Sequence, residues 1–406
     1  MRFVVVTLGL HPDVVGGAWR VAAEQAAGLV KQGHSVEVVT VDPDGSLPQV
    51  ETRRGVRIRR YRGVTGHFYR KWRTENRLAS DLIREALATS SEPVLLIQHH
   101  AYLEPAVASG AAGVPVLHVF HGPWAEEYRF AARVGGRGLV RRWLDQVIPA
   151  GLRRVERRAL DRARRILVLS GHFRRQLGIW HRGVDETRVE VVPGGVDFTR
   201  FQVPADRAAL RKAWGLEERT FLFVTLRRLD PRMGLDLLIE AFARVQAASG
   251  PGRAQLWLAG KGPAEAALVA RIRALKLDAS VKLLGFLPDA ELPRLLGAAD
   301  ATVMPSLDLE GFGLATAESL ACGTPVLGSR AGATPELLEP LDAGCLFAPG
   351  SVDELVRALG RALDNPGALP DRGRCADYAR GRFSWEHQVA ACERAGRELF
   401  KASGGA

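Results

Sequence analysis

Long hydrophobic runs are missing from this 406-residue sequence. Its strongly apolar stretches reach only about ten residues, against the roughly 20 needed to cross a bilayer, which excludes a bundle of membrane helices. Cysteine is scarce as well. The four present, Cys322, Cys345, Cys375 and Cys392, fall in the second half and none forms a C-x-x-C pair. That spacing fits neither a zinc site nor a disulfide framework, and all four read as small buried apolar side chains. No small-residue cleavage site follows the first apolar run, Phe3-Val4-Val5-Val6, so the expectation is a protein without a signal peptide that works in the cytoplasm. Low-complexity segments and short repeats are absent too.

What is present is the composition of a globular chain, with 47% apolar and 25% charged residues. The length suits two domains of roughly 200 residues better than one core. The formal net charge of +11 is unevenly placed: residues 1–195 hold 30 Lys and Arg against 19 Asp and Glu, while 196–406 hold 26 of each. A basic first half attracts anionic lipid headgroups, phosphorylated substrates or nucleic acid. A nucleic-acid-binding protein would also need a reading helix or a stacking motif, and neither is evident. The basic stretch Arg137–Arg165 contains Arg141-Arg142-Trp143-Leu144 and Arg153-Arg154-Val155-Glu156-Arg157-Arg158. It reads either as an amphipathic face for anionic lipid or as a solvated helix.

Strand-like apolar runs alternate with helical patterns throughout, which argues for α/β architecture with parallel sheets. The first half offers strands at Phe3–Leu8, Ser35–Val41, Val56–Tyr61, Val94–His99, Val116–Phe120 and Ile166–Ser170, with a helix over Gly17–Gln32. A linker is read at Thr199–Asp206. The second half restarts with strands at Phe221–Leu226, Gln255–Ala259, Val281–Leu284, Ala301–Met304, Pro325–Gly328 and Cys345–Phe347. Helices are expected at Gly234–Ala248, Ala264–Ala274, Asp289–Ala298, Gly313–Ala321 and Val352–Asp364, and a last one opens at Ser384. The expectation is two facing Rossmann-like domains, 1–197 and 198–383, with 384–406 a closing helix that crosses back to the first domain. Ligands of such folds sit at the carboxyl ends of the strands.

The densest constellation runs from Met304 to Val326, where a strand ends, a turn rich in glycine follows and a helix begins near Gly313. Unpaired N–H groups at such a helix start attract a phosphate. Gly311 and Gly313 let the backbone approach a ligand without a Cβ in the way. Glu310 sits at the lip of the turn, and Glu318 lies about two helical turns deeper, where a carboxylate can accept from vicinal hydroxyls.

This segment resembles the E-x7-E signature of the GT-B glycosyltransferases, in particular the large retaining family 4, and the resemblance extends over essentially the whole chain. It implies that Glu310 contacts the hydroxyls of a donor sugar. The backbone of Gly311, Phe312, Gly313 and Leu314 would hold the distal phosphate, and Glu318 the ribose diol. The stretch Arg227-Arg228-Leu229-Asp230-Pro231-Arg232-Met233-Gly234 is similar to the family's G-R-L-x-x-x-K-G motif, whose Arg and Lys serve the diphosphate. Arg228 matches the Arg. Met233 stands at the Lys position and cannot donate to phosphate, so Arg232 becomes the candidate substitute, its fork geometry suiting phosphate. Gly260-Lys261-Gly262-Pro263 resembles a family turn near the nucleotide, with Lys261 a candidate charge for the diphosphate. Phe286 and Leu287, within Leu284–Pro288, match the edge that meets the base through main chain. In the first half, Gly16-Gly17 resembles the loop that closes over the donor phosphates. His121 matches a histidine that contacts the donor sugar near its reacting carbon. Trp124, Glu126, Glu127 and Tyr128 are candidates for acceptor contact, and His99 and His100, also ending a strand, are further candidates.

The resemblance implies a hexose-type sugar moved from a nucleotide-sugar to a hydroxyl of a glycan, lipid-linked or small-molecule acceptor, with no cofactor. Retention through a covalent intermediate needs a carboxylate nucleophile, and the first-half motifs supply no obvious one. Front-face displacement is therefore expected, with the protein positioning the reactants and stabilising the departing charge. No metal is expected: the one D-x-D, Asp42-Pro43-Asp44, lies in a turn away from the donor motifs. The alternatives are a nucleotide-sugar-binding protein without catalysis and a basic nucleic-acid- or membrane-binding protein.

Overall fold

The structure, a computed structural model, describes residues 1–89, 92–134, 139–250 and 252–403, with side chains described except over 131–146 and 402–403. The chain divides into two compact units, Met1–Gly195 with Trp385–Ala406, and Val196–Ser384. Among the described residues no helix is long and apolar enough to cross a membrane.

The first unit is built on eight strands: β1 Arg2–Val6, β2 Ser35–Asp42, β3 Val50–Arg53, β4 Val56–Arg62, β5 Val94–Gln98, β6 Val116–Phe120, β7 Arg165–Val168 and β8 Val189–Val191. Their order in the sheet is β3-β4-β2-β1-β5-β6-β7-β8. Every pairing is parallel except that of β3 with β4. Because helices cover both faces, β1 reads after Arg2 as an unbroken apolar run, and all five of its residues are buried. The hairpin strand β3 escapes the sequence reading because Val-Glu-Thr-Arg has no apolar run and lies on the exposed edge. The terminal helix Trp385–Ser403 belongs to this unit and packs on the helix Gly17–Lys31. Contact is close enough that a Cβ on Gly28 would stand 2.3 Å from Val389 Cγ2. The buried amide of Gln388 accepts from Gln25 at 2.7 Å and donates to the Val192 and Pro193 carbonyls at 2.6 and 2.8 Å.

The second unit carries β9 Phe221–Leu226, β10 Ala254–Ala259, β11 Val281–Gly285, β12 Ala301–Met304, β13 Val326–Ser329 and β14 Leu346–Phe347. The sheet is all parallel in the order β11-β10-β9-β12-β13-β14, the 3-2-1-4-5-6 arrangement of a Rossmann fold. Alternate residues of β9 serve opposite faces, Phe221 and Phe223 one core, Leu222 and Val224 the other. The segment Thr199–Asp206, read as a linker, is part of this unit: Phe201 is fully buried, and Asp206 caps the helix Arg207–Ala213 through the Ala209 N–H at 2.8 Å. That helix, like Phe68–Ala88 and Arg372–Arg382, is rich in charge, which hides its apolar stripe from a sequence scan.

Candidate active site

In the second unit the strand order reverses between β9 and β12, so the loops leaving these two strands flank a crevice at their carboxyl ends. Arg227 follows β9 and Glu310 follows β12. Arg227 Nη2 donates to Glu310 Oε2 at 2.6 Å, and its Nη1 donates to Ser306 Oγ at 2.8 Å. Ser306 Oγ in turn donates to the same carboxylate oxygen at 3.1 Å. Both side chains are largely shielded, at 7% and 19% exposure, so the pair is screened little by solvent. Glu310 Oε1 makes no hydrogen bond among the described residues. One oxygen is therefore anchored and the other left to accept from a ligand.

The backbone of this loop is equally constrained. Leu309 adopts the left-handed region at φ 56°, and Arg232 Nη1 donates to its carbonyl at 3.2 Å. Leu307 N–H donates to the Arg232 carbonyl at 2.9 Å, which ties the two loops together. On the other flank, Ala333 N–H donates to the Glu310 carbonyl at 2.8 Å. Gly332, with φ 59°, lies so close that a Cβ there would meet the Glu310 carbonyl oxygen at 2.3 Å. Gly313, at φ 87°, is the N-cap of the helix Leu314–Ala321 and has no side chain to occupy its first N–H groups. Phe312 is buried edge-on against Phe383, with ring centres 5.6 Å apart, so it offers a ligand only its main chain. Gly311 and Leu314 are half-buried beside it, and Glu318 is buried on the helix. Burial and, after it, the charge of Glu318 raise the Cys322 thiol to about 12.

The sequence candidates around β9 separate. Arg228 is exposed and its side chain makes no hydrogen bond or ion pair among the described residues, whereas Arg227 reaches Glu310. Arg227 occupies the first glycine of the G-R-L-x-x-x-K-G pattern, so the pattern gives no signal for a side chain at that position. Met233 is buried in the core with Leu229 and Leu235. Arg232 braces the Glu310 loop instead. Lys261 is exposed, and its glycine neighbours serve packing: a Cβ on Gly260 would stand 1.9 Å from the Arg227 carbonyl oxygen, and one on Gly262 2.3 Å from that of Leu229. Phe286 is exposed, and Leu287 packs partly against the Trp257 core. Gly332 was not legible as a site residue, because its role is a contact with Glu310 made between two loops 22 residues apart; Ser306, four residues before Glu310 in the same loop, carries no signal of its own beyond lying in that stretch.

In the first unit the reversal falls between β1 and β5, and the loops after β1, β5 and β6 carry the remaining candidates. Gly16 is the N-cap of Gly17–Lys31, and a Cβ on it would lie 2.3 Å from the Trp19 ring; Gly17, the first helical residue, is exposed. Asp13 anchors the same loop to the β3–β4 hairpin through Arg53 at 2.9 Å and Arg60 at 2.7 Å. His121 follows β6, and its Nε2 lies 2.9 Å from Nδ1 of His99, which follows β5. Burial, and then the neighbouring imidazoles, hold both far below the ordinary histidine value. Burial takes His100 to about 4 and His118 to about 3. The site histidines are therefore neutral at pH 7. Trp124 joins an aromatic group with Tyr102 and Phe68, at 5.6 and 6.3 Å, and Glu126 pairs with Arg129 and Arg153. Glu127 is exposed and Tyr128 half-buried. In the basic stretch, Arg157 pairs with Asp161 and Arg162 with Glu104, while the side chains of Arg141 and Arg142 lie outside the described residues. Asp42 and Asp44 accept turn hydrogen bonds from Gly45 and Ser46.

Two parallel Rossmann-like units with these loops define the GT-B class. Solved structures agree over nearly the full length. Sucrose-phosphate synthase from Thermosynechococcus elongatus superposes with a TM-score of 0.84 at 22% identity, over 99% of each chain. HepE of Anabaena, in complex with UDP-glucose, gives 0.74 at 20% identity over 99% of this chain and 100% of its own. By sequence, residues 206–382 match the family described as Glycosyl transferases group 1, and residues 15–200 match Glycosyltransferase Family 4. The chain belongs to the group 1 glycosyltransferases of GT-B fold. Among curated relatives, it is 36% identical over 208 residues to a GDP-mannose-dependent monoacylated alpha-(1-6)-phosphatidylinositol monomannoside mannosyltransferase of Corynebacterium glutamicum, covering 48% of this chain and 53% of that one. It is 28% identical over 407 residues to D-inositol 3-phosphate glycosyltransferase 2 of Catenulispora acidiphila, covering 95% and 92%. The stretches matched in the first three curated relatives span about half of those proteins, 53%, 45% and 46%.

Proposed function

We propose that the protein is a retaining hexosyltransferase that moves a sugar from a nucleotide-diphosphate donor to a hydroxyl acceptor, without a metal, by front-face displacement. The observation that carries the reading is Glu310, with one carboxylate oxygen held by Arg227 and Ser306 and the other unoccupied, beside an uncapped helix start at the strand-order reversal. On this reading the Gly311–Leu314 backbone takes the distal phosphate, and Glu318 the ribose. Arg228, the arginine left unpaired here, faces the departing charge; Arg232 acts by holding the loop rather than by replacing the family lysine. Electrostatic stabilisation of the leaving diphosphate is then the protein's main contribution. Gly16, Gly17 and His121 serve the donor from the first unit, and Lys261, Phe286 and Leu287 border the nucleotide.

The mannoside and inositol phosphate in the names of the relatives favour a polyol, glycan or glycolipid acceptor. The basic first half favours an anionic surface as its setting, on the cytoplasmic face of the membrane. A binding protein without catalysis has one observation on its side, the burial of Met233 where the family carries lysine. Thermal-shift measurements with UDP-, GDP- and ADP-sugars test donor binding, since a ligand that binds only the folded state raises the melting temperature. Transfer assays with the stabilising donor then separate the readings. Product with a retained anomeric centre, formed equally in EDTA, is expected; donor binding without hydrolysis or transfer would leave only the binding protein.

A further inference from the structure

The side chain of His99 lies deep in the first unit and belongs to none of the motifs that mark the family, yet it makes the only hydrogen bond of the His121 ring among the described residues. The geometry of that contact is informative. The ring centres stand 5.2 Å apart and the planes differ by 17°. Their separation exceeds the 2.9 Å between Nδ1 and Nε2 by about the sum of the two centre-to-nitrogen radii. The rings are therefore nearly coplanar and edge to edge, nitrogen aimed at nitrogen, which is the alignment of an imidazole–imidazole hydrogen bond rather than of stacking.

Such a bond has one proton, and its owner determines the tautomer of both rings. If His121 donates from Nε2, His99 must carry its own proton on Nε2. That nitrogen is buried and has no partner among the described residues. A buried orphan N–H is rarer than an under-satisfied acceptor, so the favourable arrangement has His99 Nδ1–H donating to His121 Nε2. His121 then carries its proton on Nδ1. Protonation of either ring is opposed by burial and by the neighbouring His100 and His118, so the pair persists as two neutral imidazoles. The other groups near the pair fit this picture: among the described residues His100, whose ring centre is 5.7 Å from that of His121, also has a buried Nε2 without a partner, and no carboxylate bonds the His99 or His121 ring.

We infer that His99 is a positioning residue: it holds His121 as the neutral Nδ1–H tautomer, so that Nδ1, and not Nε2, is the hydrogen-bond donor presented to the donor sugar. The catalytic half of this inference rests on the reading of His121 as a sugar contact. The tautomer half does not. Long-range 1H–15N correlation spectra of the imidazole-labelled full chain read the tautomer directly. The expected result is Nδ1–H for His121 in the wild type, lost or mixed in His99→Phe. Asparagine places an amide N–H where histidine has Nδ1, so His99→Asn should restore the His121 signature. In transfer assays His99→Phe should lower kcat at least tenfold with donor KM changed less than threefold, and His99→Asn should recover most of kcat. An Nε2–H His121 in the wild type, or a tautomer unmoved by His99→Phe, overturns the inference even if no acceptor is known. Wild-type kcat in His121→Phe overturns instead the reading on which its catalytic half rests.

Discussion

Arg227 shows how one side chain changes the chemistry of its neighbour. A carboxylate that is to bind a ligand must keep a fixed orientation, and here a buried guanidinium and Ser306 hold one oxygen of Glu310. Removing the cation frees Glu310 to rotate and leaves a shielded charge without its partner, a loss of about 3–5 kcal/mol for well-buried pairs and less at the partial exposure here. Arg227→Gly, which puts the family's residue back, should therefore lower kcat/KM for the donor at least tenfold, as read from initial rates. An unchanged value would mean that Arg227 only packs. The adjacent Arg228→Ala should act differently, raising donor KM with little effect on thermal stability, because its side chain bonds nothing else among the described residues.

At the scale of elements, the site is a product of three loops locked together. The β9 loop is tied to the β12 loop by the Leu307–Arg232 and Arg232–Leu309 bonds, and the loop after β13 closes on Glu310 through Ala333. Gly332 makes that closure possible. A methyl group there meets the carbonyl oxygen, Cβ and nitrogen of Glu310 at 2.3, 2.7 and 2.8 Å, in a backbone conformation that L side chains rarely adopt. Strain of this kind costs roughly 1–3 kcal/mol or is relieved by moving the loop. Gly332→Ala should accordingly lower the melting temperature by several degrees and weaken donor binding by calorimetry. Wild-type behaviour in both would show that the loop has room to yield. The helix Leu314–Ala321, by contrast, was readable from sequence to within a residue, since a Gly-Phe-Gly turn after an apolar strand marks its start.

For the molecule as a whole, the buried histidines set a pH dependence. In the unfolded chain each titrates near 6.5, while in the folded protein His100 stays neutral to about 4 and His118 to about 3. Between these limits the unfolded state binds more protons, so stability falls as the pH drops from 6.5, by up to about 1.4 kcal/mol per pH unit for each histidine, and is unaffected above it. Denaturation midpoints measured from pH 8 to pH 4 should be level to about 6.5 and then decline. His118→Gln should make the decline shallower. An equal slope in that variant would place the titrating groups elsewhere. The terminal helix belongs to the same scale: its residues follow the second unit in sequence but are buried against the first, through Val389 and the Gln25–Gln388 pair.

Sequence by itself determined the alternation of strands and helices, the glycine-marked turns and the acid pair of Glu310 and Glu318. These are local properties, written in the periodicity of apolar residues and in the backbone freedom of glycine, and they sufficed to indicate the family. Tertiary structure alone decided that Arg227 rather than Arg228 meets Glu310, that Met233 points into the core, that Thr199–Asp206 is packed rather than free, and that His99 completes His121. Each of these depends on which strands become neighbours. Adjacent residues at a strand end point to opposite sides, and the partner that each side meets is contributed by a segment about 20 to 80 residues away, which no local pattern records.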